Sequence, residues 1–389
     1  MMRRMLVASI LLTGGVLLGS DIATAAQGPR RSPPGLEGFL RATMVSRRIP
    51  GLQIAVVRRA RIVYLGAYGL ANIDDSVPVT DKTVFSINSA TKAFTGVAIM
   101  QLVEQGKLSL GAPISRYLDG LPVAWQPVSI RQLLTHVSGI PDVVVQPKGQ
   151  GNGTLVGGDG DDNAWAVVQT LPMEYPTGTK YTYNQTNYVL LGKIIEKAGG
   201  LPFTEFIRRY QFEVSGMPSA SFGDSRDIVQ HRATPYRYPH GRVTVVGSEL
   251  GPLEHAFDEF PPMLRTAAGI NSTAEQIARW IVALQTGKVL KEHASLATLW
   301  TQGSFNDGSP TPWALGWPTE VQSNHRAVAG IGGRRSAFFV YPDEDLAIVI
   351  LTNLAGANPE EFIRDVAGYY VPGLRETSGQ PENATDGKT

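Results

Sequence analysis

Runs of β-forming residues stand near both ends of this chain, and a long helical stretch separates them. Residues 53–57 and 62–65 flank a short Arg-rich turn and read as a hairpin. Residues 313–317, 337–341 and 346–351 alternate or run apolar and read as strands. If both groups share one sheet, everything between them is an insertion. Consecutive hairpin strands make such a sheet antiparallel, because short turns cannot join parallel neighbours. The expected class is therefore α+β: an antiparallel sheet flanked by terminal helices, with an inserted, mostly helical region. The sheet part should span about residues 36–115 and 270–374, and the insertion about 116–269.

The helices carry their own signals. Residues 36–47 read as a first helix that stops before Pro50. Residues 90–105 form a second, with Phe94, Val97, Ala98, Met100 and Leu102 as its apolar positions. Short helices and turns are expected over 111–145, and helices over 188–197 and 203–210. Residues 273–286 are amphipathic, with Thr273 as N-cap and Glu275 and Gln276 in the first turn. Residues 359–370 close the domain, with Pro359 in the first turn. Residues 149–163 hold six Gly among Asn, Asp and Gln and read as coil. The stretch 223–262 is aromatic, Pro-rich and irregular, and 375–389 is a polar tail.

The N-terminus reads as a targeting segment. Arg3 and Arg4 precede an apolar stretch, and Ala23-Thr24-Ala25 supplies a small-x-small cleavage site. At about 13 residues the stretch is short for a permanent span. The expectation is a signal peptide at 1–25, a linker at 26–35 and an exported protein, periplasmic or secreted, with no stable membrane anchor after cleavage. The 389 residues include no Cys, which excludes disulfides, Cys-ligated metal and a thiol nucleophile. A net charge of +1 argues against nucleic acid as partner. The six His show no zinc-ligand spacing, and neither metal nor cofactor is expected.

Ser89-Ala90-Thr91-Lys92 opens the helix expected over 90–105. Ser89 and Lys92 are three apart, so they share one helix face. A serine hydroxyl attacks a carbonyl carbon once a base takes its proton. A lysine amine held among apolar groups can serve as that base. The first turn of a helix also presents backbone N–H groups to an oxyanion. Taken alone, these residues equally fit an N-cap serine beside a solvated lysine.

Other segments follow in order. Phe85-Ser86-Ile87-Asn88 leads into Ser89, and Leu133-Leu134-Thr135-His136-Val137-Ser138-Gly139 comes next. Then come Pro176-Thr177-Gly178-Thr179-Lys180-Tyr181-Thr182-Tyr183, Asn187-Tyr188-Val189-Leu190-Leu191-Gly192, Ala267-Ala268-Gly269-Ile270-Asn271-Ser272 and Leu351-Thr352-Asn353. In this order, over about 35–370, the chain resembles the serine β-lactamase and penicillin-binding protein superfamily in its class C-like branch. That branch also holds D-alanyl-D-alanine carboxypeptidases and small-ester esterases. The resemblance implies Ser89 as nucleophile, with Lys92 and Tyr183 handling the proton. It also implies an oxyanion hole from the N–H of Ser89 and one N–H near Ser336–Ala337. His136 fits a scaffold role in that segment better than a Ser-His triad. No Gly-x-Ser-x-Gly elbow is present.

Two positions depart from the family pattern. The family's Tyr-x-Asn is Tyr183-Asn184-Gln185 here, which moves the amide by about 1.5 Å. The family's Lys-Thr-Gly or His-x-Gly aligns with Gly330-Ile331-Gly332, which lacks the cation. Arg334 and Arg335 follow closely and either replace that charge or form a solvated turn. Substrate contacts are therefore expected from Gln185, Gly330, Gly332, Arg334 and Ser336. The missing charge favours a neutral ester, amide or peptide over a β-lactam. The alternatives are a catalytically weak acyl-binding or sensing protein of the same fold, and a β-lactam-hydrolysing enzyme. The partner is a small molecule or a peptide.

Overall fold

A computed structural model describes residues 32–144, 161–239, 251–322 and 325–374. The expected signal peptide, most of the linker, most of the Gly-rich coil and the polar tail lie outside these residues. In chain order, α1 (Leu36–Ser46) precedes β1 (Gly51–Arg58), β2 (Arg61–Asn72), β3 (Val77–Pro78), β4 (Phe85–Ser86) and α2 (Thr91–Glu104). The middle carries α3 (Ile130–Leu134), α4 (Asp161–Val168), α5 (Gln185–Gly199), α6 (Phe203–Ile207) and α7 (Glu213–Ser215). Four short strands follow: β5 (Ser221–Phe222), β6 (Tyr236–Arg237), β7 (Glu254–His255) and β8 (Ile270–Ser272). Next come α8 (Ala274–Gln285), α9 (His293–Leu299), β9 (Thr319–Gln322), β10 (His325–Gly332), β11 (Ser336–Tyr341), β12 (Leu346–Thr352) and α10 (Pro359–Gly368).

The two ends of the chain do share one sheet. Its order is β3-β2-β1-β12-β11-β10-β9, and each paired neighbour is antiparallel. Both faces are covered, which the side chains show by alternating between two cores. Leu346, Ile348 and Ile350 of β12 join Leu36 and Leu40 of α1 and Phe362, Ile363 and Val366 of α10 on one face. Ala347, Val349 and Leu351 join Phe94 of α2 and Ile277, Trp280 and Ile281 of α8 on the other. A strand covered on both faces reads as a continuous apolar run, and β12 is one. Thr273 caps α8 by accepting from the N–H of Gln276 at 3.2 Å, as its sequence pattern indicates.

Two local expectations change. Residues 313–317 are not a strand. Trp313 bridges to Pro318, and the N–H of Ala314 donates to Trp317 O at 2.7 Å, forming a tight bend. The bend exists because this segment presses on α2. A methyl carbon on Gly96 would lie 2.0 Å from Leu315 O. The helix begun at Phe203 also runs further than expected, through a π-turn over Arg208–Phe212 into α7.

Candidate active site

The segment leading to Ser89 is held by sheet bonds before it becomes helix. β4 pairs with β8, and the N–H of Ile87 donates to Ile270 O at 2.9 Å. Asn88 then takes a left-handed backbone (φ +47°), which Asn tolerates better than most side chains. Its Oδ1 accepts from Ser86 Oγ at 2.6 Å. A short 3-10 turn over Asn88–Ala90 carries Ser89 straight into α2. From Ile87 to Leu102 every residue is buried except Ser89, which is half-buried. The sequence thus exposes one hydroxyl at the mouth of an otherwise sealed helix.

Lys92 lies one turn on and is 1% exposed. Its Nζ donates to Gln185 Oε1 at 2.9 Å and to Ala267 O at 3.0 Å. It also sits 4.6 Å from the ring centroid of Tyr183 and 5.0 Å from that of Tyr188. The structure therefore brings Lys92, Tyr183 and Gln185 together. The longer amide of Gln185 reaches Lys92 itself. Asn184 caps α5, its Oδ1 accepting from the N–H of Asn187 at 3.0 Å, which places Tyr183 just outside the helix and Gln185 as its first residue.

The other wall is β10. β9 pairs with it only over residues 325–328, and the N–H of Ala329 donates to Pro318 O. Beyond that, Gly330–Gly332 has β11 on one side and the Asn88–Ala90 turn on the other. A methyl carbon on Gly332 would lie 1.9 Å from Ile87 O and 2.9 Å from Ala90 N. One on Gly330 would lie 2.1 Å from Phe338 Cζ, so this position has no room for a charged side chain. Ser336 Oγ donates to Ile87 O at 2.8 Å and lies 3.1 Å from Gly332 O, which ties the wall to the segment before Ser89. That buried hydroxyl is already bonded, so Ser336 acts on the frame rather than on a substrate. The N–H expected near Ser336–Ala337 belongs to a strand paired on both sides. The backbone packed against the residues around Ser89 is that of Gly332 and Gly333.

Of the two arginines, Arg335 does not supply the missing cation. Arg335 is buried and makes a bidentate pair with Asp258, at 2.7 and 3.0 Å. Arg334 is exposed in a left-handed turn, and its carbonyl accepts the N–H groups of Gly356 and Asn358, on the α10 side. His325 is at the opposite end of β10, bonded through Nδ1 to Glu344. His136 is fully buried and faces Tyr183 at 4.6 Å between ring centroids, with Trp313 at 5.0 Å. It has the scaffold position that its sequence context suggests. Among the described residues no group of His, Asp and Glu could hold a metal ion.

Two participants escape a reading of the sequence. Trp313 reaches the tyrosines only because residues 313–317 bend. Asp142, just after Pro141, accepts the N–H of Val144 at 3.0 Å and that of Gln185 at 3.3 Å. Burial pushes its carboxyl up from the usual range, and those two N–H groups and Lys92 only partly offset this.

The beta-lactamase family model matches residues 36–368. Protein flp of Staphylococcus aureus (strain MW2) is 25% identical over 317 residues, covering 79% of this chain and 60% of its own length. Penicillin-binding protein 4* of Bacillus subtilis (strain 168) is 25% identical over 300 residues, covering 75% of this chain and 65% of its own. The chain thus spans less than two thirds of the length of these curated relatives. The octameric penicillin-binding protein homologue from Pyrococcus abyssi superposes with a TM-score of 0.69 at 26% identity, over 87% of this chain and 77% of its own. EstCE1, a hydrolase with promiscuous acyltransferase activity, superposes with a TM-score of 0.67 at 20% identity, over 85% and 97%.

Proposed function

This chain belongs to the beta-lactamase family, and from that premise we propose that it is an exported serine hydrolase, periplasmic or secreted, that cleaves a neutral ester or amide through an acyl-enzyme. The observation that carries the reading is the partial exposure of Ser89, alone within the buried stretch 87–102, beside a buried Lys92 that faces Tyr183. Ser89 Oγ attacks the substrate carbonyl carbon and forms a covalent ester. Tyr183 takes the hydroxyl proton and returns it to the leaving oxygen or nitrogen. The Lys92 ammonium stabilises the phenolate oxygen that Tyr183 carries before it takes that proton and again after it has given it up. Backbone N–H groups of Ser89 and of the Gly332–Gly333 end of β10 would meet the oxyanion. Water then breaks the acyl-enzyme and frees the carboxylic acid.

The substrate class rests on charge. Gly330 leaves no room for a cation, and Asp258 neutralises Arg335. A carboxylate-bearing substrate, such as a β-lactam or a peptide C-terminus, would find no cation at position 330 and would find Arg335 already paired. Esterase or peptidase activity on neutral groups therefore ranks above β-lactam hydrolysis.

Turnover of a short-chain p-nitrophenyl ester by the full chain, beside Ser89→Ala, tests the reading. A burst followed by steady hydrolysis, reduced at least about 1,000-fold in the mutant, is expected. A stable acyl adduct with no turnover would instead establish an acyl-binding protein. Equal rates in both proteins would remove Ser89 as nucleophile.

A further inference from the structure

We propose that Asp142 is a positioning residue of the Ser89 site: it fixes Gln185 against Lys92 and supplies the negative charge that offsets the buried ammonium, so it sets the pH at which the site becomes active. This inference rests on the hydrolase reading for its role, though not for its test.

The argument starts from an imbalance. Lys92 is buried, yet both of its hydrogen-bond acceptors, Gln185 Oε1 and Ala267 O, are neutral. Among the described residues no carboxylate lies within ion-pair distance of it. A buried ammonium without a counter-charge is costly. The groups that face it are few. Tyr183 and Tyr188 present ring faces. His136 is held neutral, first by burial and then by Lys92 itself. Asp142 is the carboxyl group on which Lys92 acts from within. Glu174 and Lys180 act from outside, where both are exposed.

Asp142 also has the geometry of a fixed charge. Its Oδ1 is held by the N–H groups of Val144 and Gln185, so the carboxyl group cannot swing away. The Gln185 N–H is the first of α5, where a helix end favours a negative group. One residue thus receives Asp142 on its backbone and binds Lys92 with its side chain.

A purely structural role, holding the start of α5, makes a different prediction. Asp142→Asn keeps the Oδ1 acceptor and the shape and removes only the charge. With the negative charge gone, a proton on the catalytic base is less favoured. The acid limb of the kcat/KM profile for ester hydrolysis should then move to lower pH, by at least about half a unit, with the thermal midpoint little changed. Asp142→Glu, which retains the charge, should keep the limb near the wild-type position. A limb that coincides in wild type and Asp142→Asn, or that moves equally in both variants, would overturn the proposal.

The second measurement needs no turnover. In protein labelled with 15N-lysine, the Lys92 signal is assigned by its loss in Lys92→Met. Its titration midpoint should fall in Asp142→Asn and be retained in Asp142→Glu. Absence of hydrolysis in the wild type counts against the hydrolase reading alone. An unchanged Lys92 titration in Asp142→Asn counts against the counter-charge.

Discussion

The backbone N–H of Asn184 donates to Nδ1 of His136 at 3.1 Å. The carbonyl of the same histidine accepts the N–H of Thr182 at 3.0 Å. His136 therefore holds the chain on both sides of Tyr183 while its ring lies against the phenol. An imidazole that accepts at Nδ1 carries its proton on Nε2 and is neutral.

That neutrality makes stability depend on pH. Burial, and then the charge of Lys92, push the His136 imidazole well below its ordinary range. Below about pH 6.5 the unfolded chain protonates this residue and the folded one does not. The unfolded state then binds more protons, so stability rises with pH through this range and is fully present above it. The loss on acidification should approach 1.4 kcal/mol per pH unit, a figure of about that size for one proton. Urea midpoints between pH 7.5 and 5 should show it. His136→Asn, which tolerates the left-handed backbone at this position (φ +60°), should show a shallower slope. Parallel slopes would mean that other groups control the acid loss.

Gly332 should accept no side chain. Its neighbours at a Cβ position are backbone atoms, Ile87 O and Ala90 N, which cannot move without moving Ser89. Gly332→Ala is expected to lower kcat/KM about 100-fold by displacing the wall from the nucleophile by a fraction of an ångström. Titrating Ser89 with a fluorophosphonate label checks this. Wild-type labelling rates in Gly332→Ala would show that the wall plays no part in placing the hydroxyl.

The Arg335–Asp258 pair should behave as a coupled unit. Breaking a buried pair from one side leaves an unpaired charge and costs about 3–5 kcal/mol. Asp258→Asn and Arg335→Met should each lose about that much in urea unfolding. The double variant should lose far less than the sum. Additive losses would show that the two charges do not depend on one another.

The parts of the site that could be read in the sequence are those with short-range logic. Ser89 and Lys92 share a helix face by spacing, and Thr273 caps its helix by pattern. The sheet could be read because apolar runs at both ends had nowhere else to bury their faces. What could not be read depends on partners far along the chain. Asp142 is an ordinary turn residue until the Gln185 N–H meets it. Arg335 counts as a free cation until Asp258 takes both of its terminal nitrogens. The strand expected over 313–317 has apolar residues for a different reason: Leu315 and Gly316 must fit against Gly96 and the carbonyl of Lys92.

The register that places Leu52 beside Thr352 has a consequence for how the molecule comes into being. Of the strands in this sheet β1 is synthesised first and β12 last, so the centre of the sheet cannot form until residues 346–352 have been made. Such distant pairings are slow to find, and the early segments must remain loosely organised in the meantime. Ser89 is subject to the same delay, because Ile87 is fixed from one side by Ile270 and from the other by Ser336. A nascent or truncated chain therefore has Ser89 without the frame that aims it, and the reactivity proposed for that hydroxyl would arrive only with the β11–β12 hairpin.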